Sequence, residues 1–178
     1  VRLGKLLLEK KKYSEGMIYL ETANTLQPNN LEIMLPLARG YLATRRSSEA
    51  EVLLKKAKEI KPDDVGVRTM LISLYAHEGD NRKAIDEIEE VMKTHRDNEL
   101  LFLYAKLLYE EGKTKDARDA IEDIRATDPE NIDALMLLGM VQRAKKKYDE
   151  AIETYKEVMY IDGDHAPAIY ERAEVYML

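Results

Sequence analysis

Small residues recur in this chain at a fixed period, and that recurrence restricts its fold more than any other feature. Gly16, Ala50, Ala84, Ala117 and Ala151 form one ladder, with steps of 34, 34, 33 and 34 residues. Gly4, Ala38, Ile72, Ala105, Gly139 and Ala173 form a second ladder twelve residues out of phase. A third places Pro28, Pro62, Pro129 and Gly163 at turns, with Arg96 in the remaining slot. Both small-residue ladders lose one residue at the same place, between Ala84 and Leu101, where His95-Arg96-Asp97-Asn98 replaces a proline turn. Two helices of about 12 to 14 residues and two short turns add up to about 34 residues. A small residue on each helix lets the two backbones approach where a hairpin crosses.

The rest of the pattern agrees with helices. Apolar residues fall at i, i+3, i+4 and i+7, as in Met34, Leu37, Ala38 and Tyr41. Only 8 glycines and 5 prolines interrupt 178 residues, too few breakers for a turn-rich β fold. The segments Gln27-Pro28-Asn29-Asn30, Lys61-Pro62-Asp63-Asp64 and Asp128-Pro129-Glu130-Asn131 combine turn chemistry with a capping residue for the next helix. The apolar runs fall far short of the ~20 residues of a membrane span, so none is expected. With no cysteine, disulfides and thiolate metal sites are excluded, and either a cytoplasmic or a periplasmic setting fits. The formal charge of −6 speaks against nucleic acid, which needs a basic footprint.

The chain resembles the tetratricopeptide repeat family. The second unit carries the match most fully, as Leu37-Ala38, Tyr41, Ala50, Leu54, Ala57 and Pro62, and the fourth repeats it as Tyr104-Ala105, Leu108, Ala117, Ile121, Ile124 and Pro129. The units run 1–30, 31–64, 65–97, 98–131, 132–165 and, in part, 166–178. The family's early tryptophan is missing throughout, with Met34, Arg68, Leu101, Leu135 and Ile169 in its place. The resemblance implies an all-α, right-handed superhelical solenoid, with the whole chain one array and the first helix of each unit lining a concave groove. Tyr41, Tyr75, Tyr104, Tyr155 and Tyr176 fall on packing positions and are expected in the core. Both ends lack the family's usual seals, so either the array continues beyond them or the ends pair between copies.

Catalytic and metal-binding patterns are lacking. His77, His95 and His165 have no ligand-like spacing and read as helix-end or turn residues. The glycines are scattered singly, so no phosphate loop or cofactor site is expected. The acidic runs Glu87-Ile88-Glu89-Glu90 and Asp116 to Asp119 read as solvated, salt-bridged outer faces. Lys10-Lys11-Lys12 and Lys145-Lys146-Lys147 fall on the turn between the two helices of their units, where they read as solvated charge near a helix C-terminus or as a contact edge for an acidic partner or anionic lipid headgroups. The expected function is therefore not enzymatic. It is a scaffold that holds a peptide or helical segment of a partner protein.

By the family's register, the groove positions are Lys5, Leu35, Arg39, Thr69, Ser73, His77, Phe102, Lys106, Tyr109, Met136, Met140 and Arg143. Four cations interleaved with apolar and aromatic groups, in an acidic protein, suit a partner segment with carboxylates and apolar anchors. The family's carboxylate clamp, with asparagine at ninth positions, is not carried over, because Lys5 and Arg39 stand there. Alternatives are a self-assembling structural scaffold, the regulatory array of a larger enzyme, and an accessory of secretion or outer-membrane assembly.

Overall fold

A computed structural model describes residues 1–178 as eleven α-helices without a strand. They are α1 (Arg2–Glu9), α2 (Tyr13–Leu26), α3 (Leu31–Ala43), α4 (Ser47–Ile60), α5 (Val65–Glu78), α6 (Asn81–Met92), α7 (Asn98–Glu110), α8 (Thr114–Thr127), α9 (Ile132–Ala144), α10 (Tyr148–Ile161) and α11 (Ala166–Tyr176). Odd-numbered helices are the first members of hairpins and even-numbered helices the second. The ladders explain the pairing. Gly4, Ala38, Ile72, Ala105 and Gly139 are buried on the first helices, and Gly16, Ala50, Ala84, Ala117 and Ala151 on the second. A Cβ built at Gly4 would lie 3.0 Å from the Gly16 carbonyl oxygen, which shows how closely α1 and α2 cross. At Gly139 the Tyr155 ring from α10 occupies the space that a methyl group would take.

The two kinds of turn are built differently. After a second helix, a turn built on proline or glycine, or on Arg96 after α6, delivers a side-chain cap to the next first helix. Asn30, Asp64, Asp97 and Asn131 accept from backbone N–H groups in the first turns of α3, α5, α7 and α9. His165 does the same for α11 through Nδ1, which accepts from the Ala168 N–H at 3.2 Å. After a first helix, the chain closes each time with a paired 6→1 and 5→2 hydrogen-bond motif. The Lys12 N–H donates to the Leu7 carbonyl and the Lys11 N–H to the Leu8 carbonyl, both at 2.9 Å. The same pair recurs at Arg46 and Arg45, Asp80 and Gly79, Lys113 and Gly112, and Lys147 and Lys146. This motif needs a left-handed residue. Gly79 and Gly112 take it with φ of 78° and 74°, whereas Lys11, Arg45 and Lys146 adopt φ of 58°, 59° and 58° with a side chain attached.

The chain divides into two compact units, Val1–Val91 and Met92–Leu178, beside the junction that is one residue short. In the first, α3 packs against α1, α2, α4 and α5. In the second, α9 packs against α7, α8 and α10, and α10 against α11. First helices also touch first helices in each unit, α1 with α3, α3 with α5 and α7 with α9.

Three expectations from the sequence need correction. Tyr176 is 64% exposed and Ala173 is also exposed, because α11 is the last helix here and no second helix packs onto that side. Tyr155 and Tyr75 are buried as expected, while Tyr41 and Tyr104 are half-buried. Glu87 does not lie on a solvated face. It is 7% exposed and pairs with Arg68, itself 8% exposed, at 2.6 Å. Arg68 stands at the missing tryptophan's position, and its length carries a guanidinium into contact with α6. Its Nε donates to the Pro62 carbonyl at 2.9 Å, and Lys58 closes on the other Glu87 oxygen.

Candidate peptide groove

All twelve groove candidates lie on first helices. Lys5 is on α1, Leu35 and Arg39 on α3, and Thr69, Ser73 and His77 on α5, in the first unit. Phe102, Lys106 and Tyr109 are on α7, and Met136, Met140 and Arg143 on α9, in the second. None belongs to the buried core. Arg39, Thr69, Ser73, His77 and Lys106 are exposed, and the others are partly covered.

In the first unit a cavity of about 450 Å³ opens between α1 and α3. Lys5, Leu35 and Arg39 line it, together with Leu8, Tyr13 and Pro36. The helical period places Lys5 and Arg39 on the same face of adjacent helices, one repeat apart. Neither makes an ion pair or a side-chain hydrogen bond. Two carboxylates that are not among the twelve candidates, Glu9 and Glu32, also line the cavity. Its wall is therefore mixed in charge rather than purely basic. Pro36 sits inside α3 and has no N–H to give to the Glu32 carbonyl. A proline in the middle of an otherwise unbroken helical pattern was the available signal for it.

A second cavity of about 610 Å³ lies between α3 and α5. It gathers Ser73 and His77 with Arg45 and Ser47, which the register had not included. Arg45 was detectable as the residue in line with Lys11, Gly79, Gly112 and Lys146.

In the second unit, Lys106 is exposed without an ionic partner, and Phe102 and Tyr109 lie on the same helix within one turn of it. Arg143 differs. Its Nη1 lies 2.6 Å from Glu171 on α11, so its charge is already matched within the chain. Met136 is partly buried against two core clusters, one of Leu135, Val158 and Ala168 and one of Ala151, Tyr155 and Val175, and is more support than open surface.

Away from this face, many cations are paired. Lys12 with Glu15, Arg46 with Glu49 and Lys147 with Glu150 repeat one i,i+3 ion pair at the starts of α2, α4 and α10. Asp80 and Lys83 form it with signs exchanged at the start of α6. The Arg46 guanidinium also stacks 4.4 Å over the Tyr41 ring, whose hydroxyl donates to Glu21 at 3.0 Å. Burial and then that bond push the Tyr41 pKa up. The central lysines of the two triplets, Lys11 and Lys146, are exposed and lie at the left-handed turn positions. No group of three acidic or histidine side chains is arranged to hold a metal ion. No helix is long and apolar enough to cross a membrane.

Sequence profiles of the tetratricopeptide repeat match residues 7–71, 69–132 and 103–166. The chain belongs to the tetratricopeptide repeat family. Its fold is an all-α repeat solenoid, and such repeats are generally protein-interaction scaffolds rather than catalysts. Among curated proteins, it is 25% identical over 170 residues to the human Protein O-mannosyl-transferase TMTC1, covering 91% of this chain and 19% of that one. The chain thus spans about a fifth of that relative's length. A tetratricopeptide repeat protein from Parabacteroides merdae superposes with a TM-score of 0.86 at 15% identity, over 99% of this chain and 71% of the other. YrrB, described as a repeat protein with an unusual peptide-binding site, superposes with a TM-score of 0.71 at 17% identity, over 89% and 82%. At these identities the likeness is one of fold.

Proposed function

We propose that in each unit the first helices take an extended or helical segment of another protein, with acidic and apolar residues in alternation. The observation that carries this reading is that Lys5, Arg39 and Lys106 are without ionic partners beside Leu35, Phe102 and Tyr109. A free guanidinium or ammonium at the surface forms a charge-assisted bond with an incoming carboxylate without first breaking an internal pair. Adjacent aromatic and aliphatic groups supply contact area. Arg143 contributes little to this, because a ligand carboxylate there would have to displace Glu171. The peptide-binding site named for YrrB fits the same use of the fold.

Isothermal titration against a library of acidic, apolar-rich peptides tests the reading, unit by unit. Lys5→Ala with Arg39→Ala should weaken binding to the first unit by tenfold or more, on the order expected for two charged hydrogen bonds. Phe102→Ala with Lys106→Ala should do the same for the second. Unchanged affinity in both double variants would overturn the groove assignment.

A second reading is self-association through apolar residues left open on α10 and α11. Tyr160, Tyr170 and Tyr176 are all well exposed there, as is Met177 just after α11. Light scattering over a range of concentrations tests it, and a strict monomer at every concentration would sink it.

A further inference from the structure

The cavity between α3 and α5 has a composition that the groove reading does not account for. Its wall is Leu42, Arg45, Ser47, Ser73, Leu74 and His77. Four of these six residues carry polar side chains able to donate a hydrogen bond, and they come from three places. Arg45 comes from the turn after α3, Ser47 from the first position of α4, and Ser73 and His77 from successive turns of α5. None of the four side chains is engaged by another group of the protein. This matters most for Ser73, because Thr69, one turn earlier, spends its hydroxyl on the Val65 carbonyl. The wall contains no carboxylate, in a chain with 34 of them, whereas the α1–α3 cavity contains two. Buried Leu74 and partly buried Leu42 form an apolar floor.

A cation, an imidazole and two hydroxyls without an opposing acid define a receptor for an anionic oxygen group. A planar carboxylate presents two oxygens in one plane and can engage only some of the four donors. A tetrahedral phosphate ester presents three oxygens in different directions, matching donors that arrive from a turn and two helices. We infer that this cavity is a subsite for a phosphorylated serine or threonine side chain on the bound partner segment. The partner class rests on the groove reading, since Ser73 and His77 belong to the same face. The cavity chemistry does not.

The test uses the full 178-residue chain and NMR titration with N-acetyl-phosphoserine amide as probe, following the Ser47 and Ser73 amides and the His77 ring. Inorganic phosphate, N-acetyl-glutamate amide and phosphatidic acid vesicles form the other arms. Saturable shifts at these three residues with phosphoserine are expected, with glutamate weaker by on the order of tenfold. Arg45→Gly should weaken the phosphoserine response by about the same factor. It should leave the fold intact, because Gly79 and Gly112 hold the equivalent turns. Ser73→Ala is a second variant that leaves the turn untouched. Equal responses to phosphoserine and glutamate would overturn the inference, as would a response that survives both variants. Saturation by inorganic phosphate alone, or binding of vesicles without any response to phosphoserine, would also overturn it. Acidic peptides that bind through Lys5 and Arg39 while phosphoserine leaves the cavity silent would sink this inference and spare the groove reading. The converse pattern would do the opposite.

Discussion

The buried pair of Arg68 and Glu87 makes a quantitative demand on the stability of the first unit. Both side chains are about one-tenth exposed, and Arg68 Nη1 lies 2.6 Å from Glu87 Oε2. Removing one partner of a buried pair costs about 3 to 5 kcal/mol, because the other charge is left desolvated. Lys58 remains beside Glu87 with a side chain 35% exposed, and so offsets part of that loss. We therefore expect Arg68→Met to destabilise by about 2 to 4 kcal/mol. With a urea slope of about 2 kcal/mol/M, a loss of 3 kcal/mol moves the midpoint down by ~1.5 M. Glu87→Leu, which strands Arg68, should cost a similar amount. The double variant Arg68→Met, Glu87→Leu removes both charges and fills the space with apolar atoms. The Pro62 carbonyl that Arg68 caps lies on an exposed residue and can turn to water. The double variant should fall within ~1 kcal/mol of the parent or exceed it. Urea unfolding followed by circular dichroism, with the slope m checked for constancy, reads all four proteins. If the double variant loses as much as the two single variants together, the pair is not coupled and the reasoning fails.

Three further outcomes follow from local geometry. Replacing Lys11, Arg45 or Lys146 by glycine should raise stability by about 0.5 kcal/mol each, since relief of a left-handed L-residue, ~1 to 2 kcal/mol, exceeds the extra chain entropy of glycine; thermal unfolding checks this, and Gly112→Lys should move the other way. Gly139→Ala should cost about 1 to 3 kcal/mol, because the added methyl meets the buried Tyr155 ring rather than a flexible chain end, and an unchanged unfolding midpoint would show that the α9–α10 crossing is looser than the structure has it. The Asp64 carboxyl is held below its ordinary value of 3.8, first by the Lys61 ammonium and then by the Val67 N–H; its contribution is therefore present above pH 3.8 and lost as pH falls through the lower folded value, and Asp64→Asn, which keeps the cap, should remove that part of the acid dependence.

The topology of this chain was legible before any coordinates. A helix hairpin closes most tightly where both backbones carry small residues, so the 34-residue ladder of Gly4, Ala38 and their successors marks where the crossings fall, with Ile72 the one large residue on it. The residues after Pro28, Pro62 and Pro129 likewise show which side chains cap the next helices, because a cap is a contact between near neighbours in sequence. The groove candidates followed from the resemblance to the family's register, and each of them lies on a first helix.

Charge pairing was not legible. Arg143 was expected on the groove face with the open cations, yet it meets Glu171 from another helix. Glu87 sat in an acidic run that looked solvated, yet Arg68 reaches it because the tryptophan position holds a long cation instead. The cavity of Arg45, Ser47, Ser73 and His77 assembles from three segments whose proximity no single period encodes. Period and turn chemistry are properties of neighbours along the chain, and the sequence by itself determines them. Which charges find partners, and which donors are left free around a cavity, depends on side-chain reach across helix pairs, and only the tertiary packing decides that.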